Sequence, residues 1–286
     1  MPSFGSAGNP DQFYDEGNKE SVKMPEWLKN KGLDAYEYQC GKGVNIGQVT
    51  AKKLGDEASK NNIRMSIHAP YYVSPSSPEA VKRDNTVEYI LQSCRIGKIM
   101  GADRIVVHNS GISKFTREEA VEVTKGTLKR ALDAMAQEGI FDVHLCPETM
   151  GKVNVLGTIE EVCEICKIDD TLIPTVDFGH LNARSGGELK DISAVTRIFD
   201  TIENILGIDR LRVFHSHFSH IEYTKGGEKK HLTFEDTVFG PDFMPIAEIV
   251  YKKGLHPVFI CESAGTQAID ALRMKSMYES VSGKGE

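Results

Sequence analysis

Side chains that commonly bind divalent metal recur at the ends of short β-branched or aromatic segments of this chain. Six such segments end in a histidine, an aspartate or a glutamate: His68, His108, Glu148, Asp177, His215 and Glu262. Further candidates follow two of the segments: His180 in DFGH, and Glu228 and His231 in GGEKKH. Imidazole nitrogens and carboxylate oxygens suit zinc, and carboxylates also suit manganese or magnesium. If the segments are neighbouring strands, this pattern predicts a metal site.

Each of these residues also has a structural interpretation. A single histidine at a strand end is more often a hydrogen-bonded structural residue than a ligand. Asp177 could simply cap the following helix, because Asp favours the N-cap. Glu148 or Glu262 alone could pair with a basic side chain at the rim. Convergence of all six residues favours metal, since uncompensated carboxylates and imidazoles gathered together would be costly to desolvate.

The segments that carry these residues alternate with amphipathic stretches, which is typical of parallel β/α architecture. Eight segments are present: SFGSAG near Ser3, AYEYQ from Ala35, RMSIHAP from Arg64, RIVVHNS from Arg104, VHLCPET from Val143, IPTVDFGH from Ile173, RVFHSHFS from Arg212 and PVFICES from Pro257. No GxGxxG follows the first segment, and no GxxxxGK[ST] occurs, so dinucleotide and P-loop sites are disfavoured.

The pattern therefore predicts an α/β protein with a single (β/α)8 TIM barrel over residues 1–280, followed by a frayed tail at 281–286. The length of 286 residues suits one such barrel. In this fold the carboxyl ends of the strands and the loops after them build the active site. We therefore expect the six strand-end residues to meet at one mouth.

Composition narrows the possible partners and location. The formal net charge of −7 argues against broad attraction to nucleic acid, although bound cations would make the mouth less negative. No apolar run reaches the roughly 18 residues needed to cross a bilayer. We expect a cytoplasmic monomer with no membrane partner. The six cysteines lack the density of a disulfide scaffold and should be reduced. Cys163 and Cys166 form a lone CxxC in a helix-like segment, which favours a structural role.

The remaining histidines are weaker candidates. His144 begins its segment and His256 directly precedes Pro257, so both are expected to be structural. His217 lies two residues beyond His215 and therefore faces the same side of a strand. It could be a ligand, a residue behind the ligands or a substrate contact. His220 lies further into the loop and is a minor candidate.

The ordered motifs HAP, VVH, PET, DFGH, FHSHFS and CES resemble the endonuclease IV family of apurinic/apyrimidinic DNA repair enzymes (AP endonuclease family 2), within the xylose isomerase-like barrels. The resemblance runs from the first strand to the last, and DxxH on the sixth strand is its most specific element. It implies three zinc ions. One would be held by His68, His108 and Glu148. A second would share Glu148 and add Asp177, His215 and Glu262. The third would take His180, Glu228 and His231.

The chain also departs from this family in several loops. The family pattern after strand seven is Asp-x-His, whereas Glu228-Lys-Lys-His231 has Glu as the acid and one additional residue. The family's histidine near the end of strand one is absent, and Ser6 is the polar side chain there. The Arg-bearing loop after strand two is replaced by YQCGKGVNIG. Tyr71 does match an aromatic that probes the minor groove, and His217 is a second expected substrate contact.

The resemblance implies hydrolysis of the phosphodiester on the 5′ side of an abasic site in duplex DNA by hydroxide generated at clustered zinc ions. Glu148 and Glu262 would be the catalytic carboxylates. The first would fix the spacing of two metals, and the second would orient the nucleophile.

Two alternatives remain open. A sugar isomerase or epimerase of the same superfamily would use Glu148, Asp177, His215 and Glu262 around one manganese or magnesium ion. Its substrate would be a small sugar, and the histidines outside that set would be unexplained. The other alternative is a non-enzymatic module that holds DNA or a partner, which the intact ligand set disfavours.

Overall fold

The computed structural model, which describes residues 1–283, contains a parallel strand within each of the eight predicted segments. The barrel strands are β1 (Ser3–Ala7), β2 (Ala35–Gln39), β3 (Arg64–His68), β4 (Arg104–Val107), β5 (His144–Pro147), β6 (Thr175–Asp177), β7 (His215–Phe218) and β10 (Val258–Cys261). Two further strands, β8 (Ile221–Thr224) and β9 (Gly227–His231), form a separate antiparallel hairpin. The predicted α/β fold, a single (β/α)8 barrel, is confirmed.

The strands are hydrogen-bonded in the order β5-β4-β3-β2-β1-β10-β7-β6. Only one isolated parallel bridge, between Glu148 and Thr175, links the two ends of this order among the described residues. A threonine side chain supports the bridge, because Oγ1 of Thr149 accepts a hydrogen bond from the amide of Asp177 at 2.9 Å. The barrel is therefore nearly closed, and its seam lies between β5 and β6.

Eleven α-helices in the described chain surround the strands. Residues that favour helix starts and stops explain several of their boundaries. Thr116 and Thr158 form capping boxes with the glutamates three residues later, and Gly32 and Gly101 adopt left-handed conformations at helix ends. The helices are α1 (Asp11–Asp15), α2 (Met24–Lys31), α3 (Gln48–Asn61), α4 (Ala80–Met100), α5 (Arg117–Gln137), α6 (Ile159–Cys166), α7 (Phe178–Arg184), α8 (Ile192–Leu206), α9 (Ile208–Arg212), α10 (Met244–Lys252) and α11 (Gln267–Val281).

The main apolar core lies between the strands and the helices. It includes a stack of aromatic rings in which Phe259 contacts Phe4, Phe214 and Phe243 with ring centroids 5.1–6.0 Å apart. Because successive strand residues face opposite sides, the alternate positions point into the barrel. Those interior positions are largely polar in the upper barrel, where buried carboxylates and imidazoles replace aliphatic side chains.

Three segments differ from the expectations. Helix α9 occupies the first residue of the predicted seventh strand, so β7 begins only at His215. The hairpin β8–β9 was expected only as a loop. Helix α11 continues through Val281, the first residue of the expected frayed tail, and residues 284–286 lie outside the described chain. None of the described helices is both long and apolar enough for a membrane span.

Candidate metal centre

The carboxyl ends of the barrel strands bring most of the predicted ligands together. His68 and Asp177 are the last residues of β3 and β6, and His108, Glu148 and Glu262 directly follow β4, β5 and β10. His68, Glu148 and Asp177 are fully or almost fully buried, while His108 and Glu262 keep partial exposure to the mouth. Parallel pairing places these strand ends at one level, so the side chains converge.

His68, His108 and Glu148 form a first donor group. Nε2 of His68 lies 3.1 Å from Nε2 of His108. Oε2 of Glu148 lies 3.1 Å from the latter and 3.5 Å from the former. The Nδ1 of His68 donates a hydrogen bond to the carbonyl of Ala69 at 2.8 Å. Its Nε2 therefore carries the lone pair that can bind a metal ion. This is the set expected to hold the first ion.

Glu148, Asp177, His217 and Glu262 form a second donor group, whose ligand atoms lie within 4.8 Å of one another. Nδ1 of His217 lies 2.8 Å from Oε1 of Glu148 and 3.6 Å from Oε2 of Glu262. Glu148 therefore contributes one oxygen to each of two groups. This arrangement corresponds to the shared ligand that the sequence resemblance implies.

The prediction placed His215 in this second group, whereas the structure places His217 there and His215 in a separate set with Glu37 and His217. His215 is the first residue of β7 and pairs in register with Thr175, whereas His217 pairs with Asp177 at the mouth. Two residues of strand separate the histidines, roughly 6–7 Å along the barrel. His215 therefore lies deeper, with Nε2 3.0 Å from Glu37 and Nδ1 3.4 Å from the Arg104 guanidinium.

His180, Glu228 and His231 form a third donor group. His180 donates from Nδ1 to the Thr149 carbonyl at 2.9 Å, and its Nε2 faces Oε2 of Glu228 at 3.5 Å. His231 is held through Nδ1 by the Ser219 hydroxyl at 2.8 Å. The hairpin β8–β9 thus supplies two of the three side chains.

A β-bulge explains how the additional residue in this loop is accommodated. Glu222 pairs with Lys230 and Tyr223 with Glu228, so Lys229 has no partner in the ladder. In a regular strand, residues three apart face opposite sides. A bulge adds one residue to the strand, so that residues three apart across the bulge face the same side. Glu228 and His231 can therefore both reach His180.

Two buried oxygens provide a direct test of whether cations fit this centre. Glu148 Oε2 and Asp177 Oδ2 are inaccessible to solvent and accept no hydrogen bond from any described residue. Such orphaned acceptors are costly unless a cation compensates them. Oδ1 of Asp177 accepts the His180 amide at 2.7 Å, so this side chain caps α7 while Oδ2 faces the second group. The donor set fits divalent metal.

Electrostatics in the centre point the same way. Burial opposes the charged form of His180, but Asp177 and Glu148 outweigh it and raise its pKa to about 9. Burial, reinforced by Glu262 and Glu148, raises the pKa of Asp177 even though His180 opposes that shift. The charge of Asp177 is therefore not fully offset by its neighbours, and a bound cation would offset it.

The other predicted residues fall into two classes. Tyr71 lies at the rim with 58% of its surface exposed, and its ring centroid is 5.3 Å from that of His68. His144 begins β5 at the opposite end of the strand from the mouth, and its Nδ1 lies 2.8 Å from the Thr171 carbonyl. His220 stacks on Phe234, away from the three groups. Cys163 and Cys166 are buried free thiols.

One residue of the site was not identified from the sequence. Glu37, in the middle of β2, is fully buried and lies 2.9 Å from His217 and 3.0 Å from His215. A glutamate between two aromatic residues, Tyr36 and Tyr38, in a predicted strand is the signal that could have identified it, because isolated carboxylates are rarely buried without a partner.

Comparison with known proteins places the chain in a family. Residues 25–277 match the model of the xylose isomerase-like TIM barrel. The chain belongs to that family. A relative of this xylose isomerase-like barrel, an uncharacterized protein of Methanocaldococcus jannaschii, is 30% identical over 279 residues, covering 98% of each chain. A protein named probable endonuclease 4 from Acholeplasma laidlawii is 29% identical over 155 residues, 52% of this chain and 50% of that protein.

Solved structures similar to this xylose isomerase-like barrel include two classes of enzyme. A D-tagatose 3-epimerase-like protein has a TM-score of 0.74 at 20% identity, covering 99% of this chain and 98% of that chain. Endonuclease IV from Thermus thermophilus has a TM-score of 0.70 at 14% identity, covering 98% of this chain and 100% of that chain. At these identities the likeness establishes the fold alone.

Proposed function

We propose that this protein is a zinc-dependent endonuclease that hydrolyses duplex DNA on the 5′ side of abasic sites. The observation that carries the proposal is that the overlapping candidate donor sets of the barrel include the three groups described above, two of which share Glu148. A single-ion site needs only the second group. The first and third groups add four histidines, His68, His108, His180 and His231, which a multi-metal centre would use as ligands.

The arrangement of the carboxylates in the centre suits hydrolysis of a phosphodiester. Bound zinc ions would supply a nucleophilic water near neutral pH and would offset the charge that develops on the phosphate. Glu148 offers Oε2 to the first group and Oε1 to the second, and so fixes their separation. Glu262 keeps 15% side-chain exposure at the mouth, where its carboxylate can orient the attacking water.

The charge of three loops that follow barrel strands supports a polyanionic substrate. Loops 40–47, 108–116 and 148–158 follow β2, β4 and β5, and each carries one exposed lysine: Lys42, Lys114 and Lys152. Apart from the ligand Glu148, these loops contain no carboxylate. Exposed Tyr71 stands beside the first group and offers an apolar ring to an extruded lesion.

The direct test is incubation of zinc-loaded protein with a duplex that contains one tetrahydrofuran abasic analogue. We expect one nick 5′ to the lesion and no nick in the matched intact duplex. Glu262→Gln should reduce the rate by about a hundredfold or more, the range for loss of a positioned proton-transfer group. An active control enzyme alongside an unreactive zinc-loaded protein would refute the proposal.

One observation favours a second candidate, a sugar isomerase or epimerase. The second donor group alone, with Glu148, Asp177, His217 and Glu262, is a complete set for one manganese or magnesium ion next to a carbonyl substrate. Metal content distinguishes the candidates. Two or three zinc ions per chain support the nuclease, and one manganese ion supports sugar chemistry.

A further inference from the structure

A continuous column of buried polar side chains extends from the lower barrel to the mouth. Its lowest member, Arg104, begins β4 and is almost fully buried. Its guanidinium donates to the carbonyls of Val213 at 2.7 Å and Phe214 at 3.3 Å, and its Nη1 lies 3.4 Å from Nδ1 of His215. Because arginine can only donate, Nδ1 of His215 must accept.

The accepting role of Nδ1 determines which nitrogen of His215 carries the proton. With Nδ1 accepting, His215 carries its proton on Nε2, which donates to Oε2 of Glu37 at 3.0 Å. Ser66 donates to the same oxygen at 2.8 Å, and Gln39 donates to Oε1 at 3.2 Å. Glu37 is therefore held on several sides by donors. Two donors reach Oε2 and one reaches Oε1, so Oε1 can still accept a further proton donor.

The top of the column is the contact between Glu37 and His217. Oε1 of Glu37 lies 2.9 Å from Nε2 of His217, an ion-pair contact that is not aligned as a hydrogen bond, and the opposite ring nitrogen, Nδ1, faces Glu148 in the second donor group. An imidazole that binds an ion through one nitrogen keeps its proton on the other, where a carboxylate can hold it. Backbone carbonyls have the equivalent role for His68 and His180.

We propose that Glu37 is a positioning residue that holds His217 with Nδ1 directed into the second donor group, while His215 and Arg104 support Glu37 from below. The carboxylate both orients the ring and makes its metal-binding nitrogen a stronger donor than a carbonyl partner would. This inference depends on metal binding at the second group, and it holds whether the substrate is DNA or a sugar.

Zinc titration of Glu37→Gln against a competing chelator tests the inference without any substrate. We expect one zinc ion to bind about ten- to a hundredfold more weakly, the range for loss of a partner behind a metal ligand. Glu161→Gln is the matched control, since that carboxylate pairs with Arg117 outside the barrel, and its zinc affinity should be unchanged. Unchanged affinity in Glu37→Gln, with or without a lower Tm of the metal-free protein, would overturn the inference.

A double-mutant cycle determines whether Glu37 acts through His217. In the His217→Ala background, Glu37→Gln should weaken zinc binding by no more than about twofold, because the ring it positions is absent. Fully additive losses would show that Glu37 acts by another route.

A measurement on the unaltered protein avoids any folding defect of the variants. Long-range ¹H–¹⁵N correlation spectra of the zinc-loaded protein should place the ring proton of His217 on Nε2. A proton on Nδ1 would contradict the proposal.

Discussion

The two histidines of β7 face the same interior but have different surroundings. His217 lies among the carboxylates at the mouth, whereas His215 is held between Glu37 and Arg104. Burial lowers the pKa of His215 to about 4, although Glu37 opposes this shift. His215 therefore remains neutral and supports the site from within the barrel.

Exchange of each histidine for alanine should separate these roles. His217→Ala should lose bound zinc outright or weaken it by more than about a hundredfold, since it removes a ligand and not merely a partner of one. His215→Ala should keep the full zinc content but lower the free energy of unfolding by about 1–3 kcal/mol, because buried donors lose their partner. Metal analysis and denaturant titration of both variants measure this. Equal zinc loss in the two would contradict the placement.

Residue types at strand ends were sufficient to predict most of the side chains that gather in the candidate metal centre. The choice between His215 and His217 was not, because both lie on one face of a strand and only the position where β7 begins decides which reaches the mouth. That position depends on α9, whose packing the alternating pattern does not show. Glu37 was missed for a similar reason, since its partners come from strands distant in the sequence.

Among the secondary-structure elements, the hairpin β8–β9 supplies two of the three side chains of the third donor group. Its approach depends on Gly151, because a Cβ there would lie 2.5 Å from Cβ of Glu228 and 3.0 Å from the ring of His180. The bulge at Lys229 and the missing side chain at Gly151 together allow the longer loop to close. The residue spacing alone could not predict whether Glu228 and His231 face the same side of the hairpin, because that depends on the bulge.

Gly151→Ala should therefore displace the hairpin and remove the third ion. We expect the zinc content to fall by about one per chain while the first two groups keep theirs, as measured by mass spectrometry of the metal-loaded protein. Gly126→Ala is the matched control, because a Cβ at that helical position meets nothing within 4 Å. That change should stabilise the helix slightly and leave zinc unaltered. Loss of all metal in Gly151→Ala, or of none, would be inconsistent with this role.

At the scale of the whole molecule, metal and stability should be linked. Glu37, Glu148 and Asp177 are fully buried carboxylates in one half of the barrel, and the last two retain orphaned oxygens. Ions bound by the folded state at a hundred times their Kd add about 2.7 kcal/mol to the free energy of unfolding. For a chain of this size that corresponds to a rise of roughly 4–5 °C in Tm.

Thermal unfolding with and without a chelator measures this link, and re-addition of zinc should restore the higher Tm. Magnesium at the same concentration is the control, since it disfavours imidazole ligands. A Tm that is indifferent to chelation would argue against resident metal in the folded protein.

The barrel as a whole was predictable because eight alternating units with terminating glycines leave few other arrangements. What the pattern could not show is the interior, where a polar column replaces the usual aliphatic layers. The contacts inside the barrel depend on which residues of different strands lie at the same height, and the register of strand pairing determines those heights.

The seam of the barrel gives this metal centre a second consequence. Within residues 1–283 a single isolated bridge, between Glu148 and Thr175, joins β5 to β6, and the second donor group takes ligands from both sides of that junction. Ions bound there would cross-link β5 and β6 at the junction that has the fewest backbone hydrogen bonds. In this protein the atoms that serve catalysis would also complete the wall around it.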